Sequence, residues 1–135
     1  MSDPNRIDAE SERPGEFPLT VRTRSHVFRA DVDASDGSTD SAPGAHDYFD
    51  SALAACKGLT AMWYAKRKGI PLERVETHVE RDDSDERKGV YRLRVRVVYH
   101  GALTDEQRRA LDAAVAKCPI SKLMTTSEVI LETVV

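Results

Sequence analysis

The chain holds two cysteines, Cys56 and Cys118, and a thiol is the side chain best suited to both nucleophilic attack and reversible oxidation. Cys56 lies in the middle of HDYFDSALAACKGLTAMWYAKRKG, residues 46–69. Cys118 closes an apolar helical stripe and is followed by Pro119, so it stands at a helix start, where free amides and the dipole favour a thiolate. Two thiols that meet can form a reversible disulfide, which requires Cα atoms within about 7 Å. Spacing along the chain leaves that distance open. A zinc site would need close pairs of ligands, and a secreted disulfide scaffold would need more cysteines. In a reducing compartment the pair is therefore either inert packing or redox chemistry, and a cysteine on a buried helix is most simply a small hydrophobe. His26, His46, His78 and His100 are scattered, so no metal site is expected, and no cofactor.

The elements around these thiols follow from periodicity. Phe49, Ala52, Leu53, Cys56, Leu59 and Trp63 recur at the spacing of one helical face. Tyr48, Ala55 and Met62 widen it, leaving a narrow polar stripe through Asp50, Ala54 and Lys57. A helix apolar round most of its circumference is expected to be buried. Ser51, Ala52, Ala54, Ala55, Gly58 and Ala61 let a neighbouring backbone come close. Lys66, Arg67 and Lys68 followed by Gly69 and Pro71 mark its end. Asp47 and Asp50 suit its first turn.

Residues 1–16 are polar and without period, which predicts a disordered tail, with one domain over residues 17–135. Alternation at Phe17, Leu19, Val21 and Thr23, then at His26, Phe28, Ala30 and Val32, predicts a hairpin broken at Arg24 and Ser25. Residues 72–81 and 89–100 read as two more strands, with Arg92, Arg94 and Arg96 facing Glu76 and Glu80 in an antiparallel pair. Residues 103–117 form a second helix opened by a Thr104 and Gln107 capping box. A short helix begins at Pro119 with Cys118 at its N-cap, and residues 128–135 read as a last strand. The order predicts an α+β domain with antiparallel sheet packed on the long central helix. So apolar a helix exceeds what one small chain can cover, which predicts a homodimer.

Composition narrows the function classes. Of 135 residues 32% are charged and the net charge is -3, which argues against a nucleic-acid partner. No stretch is long enough for a membrane span and no charged-then-apolar leader opens the chain, so a soluble, cytoplasmic protein is expected.

Three segments carry a resemblance. SALAAC before the first cysteine, the exit KRKGIPLERV, and the late KCPISKLM together resemble the OsmC-like family, which includes the organic hydroperoxide resistance proteins. The resemblance runs from about Phe17 to Val135. It implies a two-layer α+β domain built as an intertwined homodimer with active sites at the subunit interface. It further implies a thiol peroxidase in which Cys56 becomes a sulfenic acid and Cys118 resolves it to a disulfide, which an external dithiol reduces. Burial alone would raise the pKa of the attacking thiol, so a cation or donor must stand beside it. The resemblance assigns that support to an N-terminal arginine, among Arg22, Arg24 and Arg29, with Arg24 favoured. A second, acidic supporting position ahead of the helix is here taken by His46 with Asp47 next to it, and both also read as first-turn helix residues. Phe49, Leu53, Leu59, Met62 and Trp63 are the expected apolar pocket for an organic hydroperoxide. The alternatives are a dimeric small-molecule or lipid-binding module with vestigial cysteines, and a purely structural pairing domain.

Overall fold

The computed structural model describes residues 3–134, which fall into two compact units divided between Phe49 and Asp50. In the first, β1 (Ile7–Ser11), β2 (Leu19–Thr23) and β3 (His26–Ala30) form an antiparallel sheet in that order. Thr23 pairs with His26 across the Arg24 and Ser25 turn. Arg24 there takes φ 53°, the left-handed backbone that tight hairpins demand.

The tail expected over residues 1–16 is corrected at Ile7–Ser11, which pairs in register with β2 from Ile7 opposite Thr23 to Ser11 opposite Leu19. Its residues are all exposed, and the alternation of Ile7 and Ala9 with Asp8 and Glu10 is too short to mark a strand. Polar contacts just beyond β1 and across it hold it instead. Arg29 donates to both oxygens of Glu12, at 2.7 and 3.0 Å, and Thr20 adds a hydroxyl. Arg29 also keeps the Glu12 carboxyl below its ordinary pKa, against the smaller opposing effect of desolvation. In the loop after β3, the buried Asp31 accepts from the Ser41 amide and hydroxyl and from the Val32 amide, and hydrogen bonds from Ser38 and Ser41 hold its pKa far below normal.

Helix α1 (Ala45–Lys68) begins in the first unit and runs into the second. At its start the Asp47 carboxylate accepts from the Gly44 amide at 2.9 Å, the backward half of a capping box. Tyr48 donates to the Arg29 carbonyl and stacks its ring at 5.0 Å from that of Phe28.

In the second unit α1 is followed by the hairpin β4 (Arg74–Asp82) and β5 (Arg92–His100), then α2 (Asp105–Val115) and α3 (Pro119–Thr125). The mixed fold with antiparallel sheet and a long central helix is the one the periodicities predict. The capping box of Thr104 and Gln107 is present, and Cys118 is the N-cap of α3 with Pro119 behind it. Ala61, Ala65, Leu72, Tyr99, Leu111 and Val115 form the core.

Three details differ from expectation. Arg94 lies opposite Glu80 and Arg92 opposite Asp82, but Glu76 faces Val98; its carboxylate meets His100 at 2.5 Å instead. Residues 128–134 are exposed and irregular, since β4 and β5 pair only with each other among the described residues and offer no ladder to an apolar strand; Val135 lies outside the described residues.

The third difference concerns α1 itself. The face pressed on the hairpin is the supposed polar stripe: Gly58 lies against Thr77 and Val75, Thr77 donates to the Ala54 carbonyl, and Ala61 and Ala65 are sealed. Small side chains win this face because they let the sheet touch the helix backbone, whereas Leu59 and Trp63, bulky and 70% and 60% exposed, could not fit there. Asp50 is buried in the same face because Arg81 and Tyr91 reach it at 2.6 and 2.7 Å. Burial, then the Asp50 hydrogen bond, push the Tyr91 phenol up to about 12.

Two substitutions test this packing. Gly101 has φ 146°, and a Cβ there would stand 2.3 Å from the Pro71 carbonyl oxygen, so Gly101→Ala should cost about 1–3 kcal/mol in urea unfolding. Asp50→Asn should cost about 1.5–3 kcal/mol by weakening two charge-assisted bonds; an unshifted urea midpoint would show that the carboxylate is not a structural tie.

Candidate active site

Once α1 turns its small face to the hairpin, the opposite side carries Cys56 outward, partly exposed, with the Thr60 hydroxyl 4.0 Å from its sulfur. The end of α2 brings Cys118 to the same place. Chain geometry there is tight: the Cys118 amide donates to the Val115 carbonyl at 3.2 Å, and the Cys118 carbonyl accepts from Lys122 at 3.2 Å and from the Ser121 hydroxyl at 3.3 Å. Pro119 has no amide hydrogen to leave unsatisfied at the first helical position. Cys118 is fully buried, and the two cysteines approach to 3.9 Å. Both are free thiols, and a bond length of about 2.05 Å is reached from there by a small movement.

Electrostatics distinguish the pair. Burial pushes the Cys118 thiol up, but the Ser121 amide and hydroxyl, the Cys56 thiol and the Lys57 cation together outweigh it, so its pKa is lowered. Lys57 follows Cys56 in sequence but points to α2, where its ammonium donates to the Val115 carbonyl at 3.0 Å. A cation at the last carbonyls of a helix also suits its dipole.

Above the thiols lies an open apolar groove of about 990 Å3. Cys56, Leu59, Thr60 and Trp63 line one side from α1, and Ala110, Ala113 and Ala114 the other from α2. Lys117, Pro119 and Ile120 close the end near Cys118. Arg67 stacks its guanidinium 4.9 Å over the Trp63 ring.

Of the residues expected from sequence, Cys56, Cys118, Leu59 and Trp63 come together here. Leu53 is buried instead, and Met62 packs on the core. Neither is among the groove residues. Phe49 is half exposed in the first unit, as are His46 and Asp47 in the first turn of α1 and Arg24 at the hairpin turn. Among the described residues Arg24 forms no ion pair, whereas Arg22 binds Glu10 at 3.0 Å and Arg29 binds Glu12. Sequence reading missed a role for Lys57, which it set on the narrow polar stripe, and the alanine face of α2, whose spacing at 110, 113 and 114 is the available signal. No group of three or more His, Cys, Asp or Glu able to hold a metal occurs among the described residues. No helix there is long and apolar enough to cross a membrane.

The family model for OsmC-like protein matches residues 37–133. No curated protein matches the chain in sequence. Among solved structures, the chain is similar to a Psychrobacter arcticus 273-4 protein named for osmotic stress induction and detoxification, at 12% identity and TM-score 0.75, covering 93% of this chain and 92% of that one. It is also similar to an OsmC-like protein of Mycoplasma pneumoniae, at 19% identity and TM-score 0.70 over 93% and 91%. A third is the organic hydroperoxide resistance protein OhrB of Bacillus subtilis, at 23% identity and TM-score 0.57 over 90% of each chain.

The difference in access between the thiols predicts their reactivity. Brief iodoacetamide treatment of the native protein should label Cys56, and Cys118 should react only on unfolding; peptide mapping that finds both labelled at equal rates would contradict the burial.

Proposed function

Because the chain belongs to the OsmC-like family, we propose that it is a thiol-dependent peroxidase that reduces organic hydroperoxides through Cys56 and Cys118. One observation carries this reading: Cys56, a reachable thiol lining an apolar groove, stands 3.9 Å from the buried Cys118. Cys56 attacks as the thiolate. Its sulfur takes the terminal oxygen of the hydroperoxide, the O–O bond breaks, and the alkoxide leaves and is protonated to the alcohol. Cys56 has lost two electrons and is a sulfenic acid. The Cys118 thiolate then attacks that sulfur, the S–O bond breaks, and hydroxide departs and takes up a proton as water. An external dithiol supplies the two electrons that reopen the disulfide.

The walls favour an organic peroxide over hydrogen peroxide. Leu59, Trp63 and the alanines of α2 offer apolar surface to a hydrocarbon group, worth about 25 cal/mol for each Å2 removed from water, and hydrogen peroxide has none to bury. The resemblance to organic hydroperoxide resistance proteins points the same way. We further propose a homodimer, supported by the exposure of Leu59, Trp63 and Leu123, and a place for Arg24, His46 and Asp47 in supporting the Cys56 thiolate. Within the second unit the Lys57 cation is one of the groups that lower the pKa of Cys118. The same groove also favours a second reading, a ligand-binding module whose cysteines do not turn over.

Stoichiometric cumene hydroperoxide separates the two. The intact mass should fall by two hydrogens, with a Cys56 to Cys118 link in the peptide map. Cys56→Ser should abolish peroxide consumption, and Cys118→Ser should stop at one sulfenic acid per chain. Two unmodified thiols after this treatment would leave only the binding module.

A further inference from the structure

The half-buried Lys57 ammonium at the end of α2 has no part in the steps just described. Lys57 projects from α1 toward the end of α2, and the Val115 carbonyl accepts from its Nζ at 3.0 Å and from the Cys118 amide at 3.2 Å. One oxygen therefore ties the cation and the Cys118 backbone together. The lysine is also the residue after Cys56, so the helix that presents the attacking thiol holds the cation as well.

From this shared acceptor we infer that Lys57 is a positioning residue for the resolving thiol, holding Cys118 as a thiolate aimed at the sulfur of Cys56. Its catalytic meaning rests on the peroxidase reading; the charge pairing does not. The titratable groups that face Cys118 are Cys56 and Lys57, both from α1, while α3 turns the uncharged Ser121 toward it. Lys117, next in the chain, lines the groove. Lys57 supplies a positive charge to a sulfur sealed from solvent, adding to the larger lowering effects of the Ser121 amide and hydroxyl and of the Cys56 thiol. The lowered pKa of Cys118, in spite of full burial, agrees.

The consequence for chemistry is a division of labour. Cys56 must be reached by the peroxide and cannot be sealed. Cys118 never meets the substrate, so it can be buried, and a buried thiolate needs an internal counter-charge. After the first step the sulfenic acid faces a thiol whose ionisation the neighbouring cation favours. Attack forms the S–S bond, breaks the S–O bond and releases hydroxide, which takes a solvent proton; the ammonium keeps its own proton and is left bound to Val115.

The test begins with Cys56→Ser, which leaves Cys118 as the sole thiol of the full chain, alone and combined with Lys57→Met or Lys57→Arg. The pH dependence of the Cys118 β-carbon NMR shift gives the ionisation midpoint. A cation sets the midpoint below its uncompensated value, so Lys57→Met should move it up by about one pH unit, and Lys57→Arg should keep it near the parent. Equal midpoints for methionine and parent would overturn the inference. Lys57→Gln carries the same comparison if the methionine variant does not fold. In the two-cysteine chain, Lys57→Met should slow disulfide formation after cumene hydroperoxide about threefold, the loss of thiolate being partly offset by its greater nucleophilicity, and Cys56 sulfenic acid should accumulate and be trapped by dimedone. A shifted midpoint with no oxidation of Cys56 would remove the peroxidase reading and keep the ion pair. Normal oxidation with unchanged midpoint and rate would remove the role of Lys57 alone.

Discussion

The second unit depends on how closely α1 lies on the β4 and β5 hairpin. Contact at Gly58 with Thr77 and Val75, together with the sealed Ala61 and Ala65, leaves room only for small side chains between helix and sheet. Close packing of this kind gathers dispersion and burial over many small contacts. It also fixes the rotation of the helix. Because the small face goes inward, the thiol of Cys56 and the bulk of Leu59 and Trp63 go outward, and they become one wall of a groove. The Asp50 carboxylate, reached by Arg81 and Tyr91, locks that rotation, since turning the helix would strand a buried charge.

The other wall is set by a chain break. Pro119 cannot continue the hydrogen bonding of α2, so the chain turns at Cys118 and restarts as α3. This turn puts a buried thiol under the exposed one. Lys57 ties the two helices at that point through the Val115 carbonyl. Fold and chemistry share these bonds: the lysine that anchors the end of α2 is also a charge that acts on the sealed sulfur.

Much of this was legible in residue order, and the failures have physical causes. The boundaries of α1, the capping box at Thr104, the N-cap at Cys118 and the strands of both hairpins follow from periodicity and turn chemistry. So does the identity of the two thiols as the candidate pair. Hydrophobicity alone does not give the orientation of α1, because a helix against a sheet at short range selects for size: Ala61, Ala65, Gly58 and a satisfied Asp50 face the hairpin, while Leu59 and Trp63 stay exposed. Of the residues expected at the pocket, Leu53 is buried and Met62 packs on the core. β1 is hard to read because its apolar face holds only Ile7 and Ala9 and its hold comes from Glu10 and Glu12 meeting arginines of other strands. The expected strand over residues 128–135 has the right pattern, but among the described residues no partner offers it hydrogen bonds.

Trp63 is the one tryptophan of the chain, and it borders the groove with Cys56 while Arg67 covers its ring. An indole emits light whose colour and intensity follow the polarity around it. The protein thereby contains its own optical probe at the mouth of the thiol site, and whatever enters, or whatever change of charge occurs on the sulfur there, is written into its intrinsic fluorescence without any added dye.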